Sequence, residues 1–270
     1  MRQRVLTLNV QSDTGGRERS AAINAELRRL APDVVALQEV RYPIDGWNQL
    51  AEILAGTGLA HATHQADVLP GLPDHFAHDG TAIATRRPHR VADVRESTED
   101  PHWWTLAVAV ELPGFGDQLV ITPTTPWRLD HAAARERQLL DLTELDARHR
   151  TDVPSLIAGD LNAAPDSAGI RYLCGLQSLH GRSAHYVDAW TTADRGPGHT
   201  WTTGNPLGAA EIRKLLGQSI HHRRIDYIFT GSSHTHAIRA EVTNASLVGT
   251  DPPQLSDHYG VVADLELYRR

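Results

Sequence analysis

The sequence predicts an α/β protein in which strand-like segments alternate with amphipathic helices. Short apolar runs bounded by Gly and Pro recur along the whole chain, and segments with helical spacing of apolar residues lie between them. Hydrophobic residues make up 40% of the 270 residues, which is typical of a globular protein. No linker-like segment or abrupt change of composition divides the chain. We therefore expect one domain over residues 1–270 with a sizeable core.

The first quarter of the chain predicts two strands and two helices. Arg4–Val10 alternates as a strand does, and Asp33–Val40 is an apolar run that indicates a buried strand. Between them, apolar residues in Arg17–Leu30 recur with helical spacing, and a second helix is expected at Trp47–Ala55. His61–Asp79 is expected to be irregular, as loops that cover or bind substrates often are.

The rest of the chain predicts mainly strands. Apolar runs indicate them at Gly80–Arg86, Trp103–Glu111, Gln118–Thr122, Val153–Ala158, Ile225–Phe229 and Val261–Leu267, with short aromatic-bearing segments at Val187–Trp190 and His199–Trp201 and a long helix at Ala132–Arg148. After the strand that ends at Ala158, Gly159 is expected to let the chain turn sharply. Asp160 and Asn162 follow, and locally they are equally consistent with a plain Asx turn.

The composition limits the classes of function. The formal net charge is −7, and Lys214 is the only lysine, so we expect no global attraction to nucleic acid and favour small or lipid-like phosphate esters. The single cysteine, Cys174, excludes an internal disulfide and any multi-thiolate metal site. With no apolar leader and no apolar run near the roughly 20 residues that span a bilayer, we expect a cytoplasmic protein without a membrane span. Nothing predicts a protein partner.

Polar side chains, all but one of them with oxygen atoms, follow many of the predicted strands. They are Asn9, Glu39, Asp160, Asn162, Asp226, Asp257 and His258. Carboxylates and amides without thiolates suit a hard divalent cation, Mg²⁺ or Mn²⁺. A metal, a general base and a cationic His together suit attack of water on a phosphate ester. The pairs His61-x-x-His64 and His75-x-x-His78 have metal-like spacing, but without Cys or nearby carboxylates we expect ordinary loop residues.

Five of these segments, in order, resemble motifs of the endonuclease/exonuclease/phosphatase superfamily. They are Thr7-Leu8-Asn9-Val10, Leu37-Gln38-Glu39-Val40, Gly159-Asp160-Leu161-Asn162-x-x-Pro165-Asp166-Ser167, Arg224-Ile225-Asp226-Tyr227-Ile228-Phe229 and Ser256-Asp257-His258. The resemblance implies a four-layer αββα sandwich, with two mixed β-sheets packed face to face and helices outside. It places the active-site loops at one edge of that sandwich. It also implies hydrolysis of a phosphodiester or phosphomonoester by a metal-dependent hydrolase.

The resemblance assigns catalytic roles to four residues. Asp160 would deprotonate or orient the attacking water, and Asn162 would hold that water or a phosphate oxygen. His258 would contact the scissile phosphate as a cation, oriented by Asp226. An Asp partner raises the pKa of a His, which agrees with that role.

The resemblance also implies the metal site. Glu39 would be a ligand for Mg²⁺ or Mn²⁺, with Asn9 beside it as a positioning amide. Asp257 would be a further carboxylate for that metal or for a second one.

One position departs from the family pattern. Many members have a His after the strand that corresponds to Gln118–Thr122, where it assists the leaving group, and Thr124 is its counterpart here. Losing one transition-state donor costs on the order of 10²–10³ in rate, which weakens an enzyme without abolishing metal-assisted chemistry. We expect an altered substrate or leaving-group preference, with Thr124 in contact with the substrate. His131, His75 or His78 are alternative donors.

Two further interpretations stay open. A DNA or RNA nuclease on this fold would need a basic strip, for which the sequence offers Arg86, Arg87, Arg90 and Arg128. A binding protein with weakened catalysis is the alternative that Thr124 motivates. Trp127 and Trp201 are candidates to stack on a base or cover an acyl chain, as is the Trp103-Trp104 pair, although buried or rim positions are the commoner use of such residues.

Overall fold

The structure is a computed structural model that describes residues 1–43, 46–69, 79–99, 103–232 and 237–270. Its strands are β1 (Arg2–Asn9), β2 (Val34–Val40), β3 (His61–His64), β4 (Gly80–Thr85), β5 (His89–Glu96), β6 (Trp104–Leu112), β7 (Gly116–Pro123), β8 (Leu156–Asp160), β9 (Tyr186–Asp188), β10 (Trp201–Thr202), β11 (His222–Arg223), β12 (Asp226–Gly231), β13 (Ile238–Val248) and β14 (Gly260–Arg269). The helices are α1 (Gly16–Leu30), α2 (Gln49–Leu54), α3 (Ala132–His149), α4 (Ala168–Leu173), α5 (Ala189–Thr192) and α6 (Pro206–Leu216), with a 3-10 turn at Gln65–Asp67.

Two six-stranded sheets dominate the fold. The first has the strand order β13-β14-β1-β2-β4-β3 and the second β5-β6-β7-β8-β12-β9, while β10 and β11 form a small hairpin-like pair. Both large sheets are mixed, because β1 pairs in parallel with β2 and β7 with β8, whereas the other pairings are antiparallel. The fold class predicted from the sequence is confirmed.

The core has three apolar layers, which define the sandwich. Residues such as Val5, Val108 and Ile228 pack between the two sheets. Leu6 faces the other way, toward Ile23 of α1, in the layer beneath the helices of the first sheet. A corresponding layer lies between α3, α4 and the second sheet. Because both faces of each sheet are buried, the central strands are nearly continuous apolar runs, which made them readable from the sequence. No helix among the described residues is long and apolar enough to cross a membrane.

The sequence did not predict several of the elements, among them β5, β13 and α6. β5 and β13 lie at sheet edges, and their exposed, charged positions hide the apolar alternation. α6 carries ordinary start and stop signals, since Asn205 caps its first turn, Pro206 is its first residue and Gly217 follows it at positive φ.

The sequence predicted an irregular stretch over His61–Asp79, but part of this stretch is regular. Its first residues form β3, which pairs with β4. His64 is buried, with Nε2 3.2 Å from the carbonyl oxygen of Val40 and Nδ1 accepting from the amide of Ala66 at 2.9 Å. Both ring nitrogens therefore serve the fold, so His61 and His64 do not form a metal-binding pair. His75 and His78 lie outside the described residues.

The sequence predicted a sharp turn of the chain at Gly159, and this prediction is wrong. It lies inside β8 opposite Tyr227 of β12, and the strand continues to Asp160. A Cβ atom at this position would lie 2.6 Å from the carbonyl oxygen of Pro123. Glycine is therefore required for close approach of two backbones, and the unusual conformation falls instead at Asn162, where φ is +46°.

We expect Gly159→Ala to destabilise the protein by about 1–3 kcal/mol, because the added methyl group must push apart the backbones of β7 and β8. Gly204→Ala is the matched control, since a Cβ there meets only ordinary contacts with Thr202 and should change stability by less than about 0.5 kcal/mol. Urea unfolding monitored by circular dichroism measures both. Equal stabilities for the two variants would contradict the close-approach explanation.

Candidate active site

One amide joins carboxylates from the two sheets. Asn9, the last residue of β1, donates from Nδ2 to Oε1 of Glu39 at 2.8 Å and to Oδ2 of Asp160 at 3.2 Å. The first carboxylate comes from β2 and the second from β8. The amide is oriented from its other end, because Oδ1 of Asn9 accepts from the amide nitrogen of Gln11 at 2.9 Å. Strand ends of both sheets thus converge at one edge of the sandwich.

A backbone irregularity aims Glu39 into this edge. The register between β2 and β4 shifts between Leu37 and Val40, so that two residues of β2 oppose one residue of β4. Glu39 has φ of +54°, a conformation that costs free energy for a non-glycine residue. Such bulges re-aim a side chain, and here the bulge turns a strand residue toward the cleft.

Asp226 and His258 form a buried pair. Asp226 is the first residue of β12, directly opposite Asp160 of β8, and it is fully buried. Its Oδ2 lies 3.0 Å from Nδ1 of His258, while Oδ1 has no hydrogen-bond partner among the described residues. His258 is held in place by an isolated bridge to Trp201.

The charge state of His258 follows from its neighbours. Burial alone would lower the pKa of His258, but attraction from Asp226 and Asp257 and the hydrogen bond to Asp226 raise that pKa well above its ordinary value. The raised pKa of His258 favours its protonated form. In that form its Nε2, which has no hydrogen-bond partner among the described residues, can donate a proton or a hydrogen bond within the cleft.

Asp160 is the central carboxylate of the site. It is buried and accepts hydrogen bonds from the amide nitrogen of Asn162 at 2.9 Å and from Nδ2 of Asn162 at 3.1 Å. Burial and repulsion from Asp226 raise the pKa of Asp160, against the opposing effects of His258 and these donors. A carboxylate with a raised pKa is a stronger base, so Asp160 can accept a proton from water.

A cleft of about 680 Å³ opens over these residues. Glu39, Asp160, Asn162, Asp257 and His258 all line it. Burial, followed by repulsion from Asp257, raises the pKa of Glu39 to about 8. Two carboxylates that repel each other in a cleft are the donor set that a hard divalent cation would stabilise, and their oxygen atoms suit Mg²⁺ or Mn²⁺.

A second group of side chains also has metal-binding geometry. Ligand atoms of Asp160, Asp226 and His258 all lie within 4.8 Å of one another, so this cluster could hold a metal ion. A protonated imidazole has no lone pair to offer, however, and the raised pKa of His258 favours its protonated form. The hydrogen-bonded pair of Asp226 and His258 therefore competes with a metal here, whereas Glu39 and Asp257 are free of such competition.

Thr124, the counterpart of the family His, directly follows β7 and forms an isolated parallel bridge with Asp160. Its Oγ1 lies 2.5 Å from Oγ1 of Thr81, and its carbonyl oxygen accepts from Nε2 of Gln138 at 3.0 Å. Of the alternative donors, His131 precedes α3, with Nε2 3.9 Å from Oδ1 of Asp130, and is not among the described residues that line the cleft.

The three predicted substrate-binding residues other than Thr124 all line the cleft but differ in exposure. Trp127 is 50% exposed, whereas Trp201 is 7% exposed and packs against Ile212 and Ile225. Arg128 forms an ion pair with Asp130 at 2.9 Å.

Of the four residues predicted as a basic strip, Arg86, Arg87, Arg90 and Arg128, the described lining of the cleft contains Arg128 alone. Thr85, the last residue of β4, pairs with Val34 at the start of β2, at the opposite end of that strand from Glu39. Arg86 accordingly donates to the carbonyl oxygen of Pro32 at 2.8 Å. Arg86 therefore lies away from the cleft, whereas Arg128, which follows β7, lines the cleft.

Sequence reasoning missed three basic residues at the cleft. Arg223 lines it and donates from Nη2 to the carbonyl oxygen of Asn162 at 3.1 Å. Lys214 lines it from α6, an element that the sequence analysis did not predict. Arg135 is buried behind it and donates to the carbonyl oxygens of residues 126, 128 and 129, which fixes the loop that carries Trp127. The available signal for Arg223 was its position directly before the Arg224–Phe229 motif.

Comparisons with known proteins agree with this fold. A model of the Endonuclease/Exonuclease/phosphatase family matches residues 6–258, and the chain belongs to this family. The members of this family are metal-dependent phosphoesterases and nucleases, hydrolases that act on phosphate esters. A search among curated proteins found no match.

Solved structures of the same fold come from distant organisms. An endonuclease/exonuclease/phosphatase from Beutenbergia cavernae is 26% identical, with a TM-score of 0.68 over 98% of this chain and 72% of that one. A Bacteroides vulgatus endonuclease/exonuclease/phosphatase is 17% identical, with a TM-score of 0.74 over 99% and 100% of the two chains. D. rerio TDP2 complexed with a single-strand DNA product is 18% identical, with a TM-score of 0.72 over 98% and 99%.

We expect Asp226→Asn to lower the pKa of His258, because burial then outweighs the reduced attraction from its neighbours. The raised pKa of His258 stabilises the folded protein below the ordinary His pKa, and this contribution is lost as pH rises through the folded-state value. Histidine NMR titration measures the shift, with the His258 signal assigned from its absence in His258→Gln. Asp93→Asn, beside His149, is the control. A His258 pKa unchanged in Asp226→Asn would contradict the assigned cause.

Proposed function

We propose that the protein is a divalent-metal-dependent phosphoesterase that hydrolyses a phosphodiester or phosphomonoester by direct attack of water. The observation that carries this proposal is the convergence of an acceptor carboxylate, Asp160, and a cationic donor, His258, in one cleft beside Glu39. Membership of the Endonuclease/Exonuclease/phosphatase family supports it.

The residues divide the chemistry between them. Asp160 orients the attacking water and takes its proton, while Asn162 steadies Asp160 through two hydrogen bonds and holds the water or a phosphate oxygen. His258 donates from Nε2 to a phosphate oxygen, and Asp226 keeps it protonated and oriented.

Glu39 and Asp257 would hold the metal, with Asn9 fixing the position of the Glu39 carboxylate. A bound Mg²⁺ or Mn²⁺ would polarise the phosphoryl group and neutralise its charge. Because the pKa of Glu39 is about 8 without a cation, this carboxyl group must lose a proton when the metal binds near neutral pH.

The charges of the cleft favour a small or lipid-like ester over a nucleic acid. Besides His258, three Lys or Arg side chains among the described residues line it. Arg128 is paired with Asp130, and Nζ of Lys214 lies 3.8 Å from Oε2 of Glu211, which leaves Arg223. A nuclease tracks the phosphate backbone with several such charges. The likeness to D. rerio TDP2, which was solved with a single-strand DNA product, keeps a nuclease as the second candidate.

Mg²⁺ or Mn²⁺ should raise the melting temperature of the wild type, by the equivalent of about 2.7 kcal/mol at a hundred times the Kd. Glu39→Gln should lose most of this rise, whereas Glu111→Gln, an exposed acid of β6, should keep it. The affinity for the metal should increase as pH rises from 6 to 8, because a larger fraction of Glu39 has then already lost its proton. Differential scanning fluorimetry at several pH values measures the rise in melting temperature of the wild type and of both variants. An equal rise in Glu39→Gln would exclude Glu39 as a ligand.

Hydrolysis should depend on the metal and fall about 10²–10⁴-fold in Asp160→Asn, which removes the general base but keeps the shape of the site. Asp166→Asn, an exposed acid of the same loop, is the control and should stay close to wild type. The substrates are aryl monoesters and diesters, nucleotides, a sphingolipid, an inositide, an abasic duplex, plasmid DNA and RNA. Metal binding without turnover of any of them would favour the third candidate, a binding protein with weakened catalysis.

A further inference from the structure

A second, smaller cavity adjoins the cleft at the proposed metal site. It has a volume of about 240 Å³ and shares Glu39 and Trp127 with the larger cleft, and we call it the side pocket. Thr124, which follows β7 beside Asp160, also lines it. A phosphate held at Glu39 would therefore face two separate cavities. A phosphodiester has one substituent for each cavity, whereas a monoester would leave one of them empty.

Tryptophan dominates the lining of the side pocket. Trp104 is the first residue of β6 and Trp103 directly precedes it, whereas Trp127 follows β7, and all three line this one cavity. A cavity of about 150 Å³ accommodates benzene, so the side pocket has room for one substituted aromatic ring. Indole faces stack on such rings, and the exposed ring of Trp127 would gain most from a partner.

Residues that line the side pocket also carry hydrogen-bond donors without acceptors. Nε1 of Trp104 is buried and has no hydrogen-bond partner among the described residues. The hydroxyl groups of Thr81 and Thr124 bond to each other, which occupies one of their two hydrogen atoms and leaves the second available. A buried indole N–H normally has a partner, so an acceptor on a bound ring would satisfy it.

Charge restricts the occupant further. Glu39 and Asp79 both line the side pocket and contribute carboxylates, while none of the described residues that line it is basic. A phosphate or carboxylate group on the ring would meet repulsion from Asp79. An uncharged aromatic ring therefore suits the tryptophan walls and the charge of the described lining better than an anionic ring does.

We propose that the side pocket is a subsite for one uncharged aromatic ring that carries a hydrogen-bond acceptor, attached to the scissile phosphate. This inference rests on the proposed function and narrows it, because the substrate becomes a phosphodiester with an aryl or heteroaryl substituent. The remaining substituent lies in the larger cleft.

The ring site can be tested without metal or turnover. 4-Fluoroacetophenone is an uncharged ring with a carbonyl acceptor, and 4-fluorobenzoate is its anionic counterpart; ¹⁹F NMR titration of the full chain measures binding of each. We expect the ketone to bind and the benzoate to bind at least about 5-fold more weakly, given repulsion by Asp79. Equal binding of the two would overturn the charge argument and with it the proposal.

Variants locate the bound ring. Trp104→Phe keeps the aromatic ring but removes the N–H, and should raise the Kd of the ketone about 3- to 10-fold. Trp103→Ala removes one wall and should raise it about 10-fold or more. Trp47→Phe, whose indole N–H bonds to Glu52 outside the side pocket, is the matched control and should bind like wild type. Ketone binding that neither Trp103→Ala nor Trp104→Phe weakens would overturn the proposal.

A kinetic measurement links the subsite to the reaction. The ketone should inhibit metal-dependent hydrolysis of bis(4-nitrophenyl) phosphate competitively, and Trp103→Ala should raise KM for that diester more than it lowers kcat. Hydrolysis that the bound ketone does not inhibit would overturn the proposal while leaving the phosphoesterase intact. Ring binding that depends on Trp104, in a protein without metal-dependent hydrolysis, would support the subsite and refute the proposed function.

Discussion

The side-chain amide of Asn9 is the contact on which the site depends. It joins Glu39 of one sheet to Asp160 of the other, at distances of 2.8 and 3.2 Å. An amide is suited to this position because it donates two hydrogen bonds and carries no charge, so it brings two carboxylates together without neutralising either. A lysine here would pair with the acids and remove the negative charge that a cation needs. The packing of the two sheets thereby determines the distance between the proposed metal ligand and the proposed base.

The site at this edge of the sandwich contains unfavourable features, and the packing of the core must offset their cost in free energy. Glu39 has a positive φ, its pKa is raised to about 8, and Oδ1 of Asp226 is buried with no hydrogen-bond partner among the described residues. Each of these features is unfavourable in an isolated element. They persist because three apolar layers fix the strands that carry them. Such conflicts between local preference and the overall fold are expected where a protein binds a charged ligand.

The sequence predicted the central strands and the polar residues at their ends well, because strands buried on both faces give continuous apolar runs. Asn9, Glu39, Asp160 and Asp226 were found in this way. Edge strands β5 and β13 were not found, since their exposed faces interrupt that pattern. The bulge that aims Glu39, the ion pair that occupies Arg128 and the contact between Thr81 and Thr124 depend on pairing between distant segments. No local pattern contains that information.

Thr124 connects the departure from the family pattern with the side pocket. A His at this position would be larger than Thr and would fill space that the side pocket now provides. It would also end the contact with Thr81. The protonation that such a His supplies matters most for an alkoxide leaving group. A phenol-like leaving group, with a pKa near 10 as in tyrosine, departs more readily without a proton. The loss of the donor and the gain of an aromatic subsite therefore agree with a single substrate class, in which the ring in the side pocket is the group that leaves.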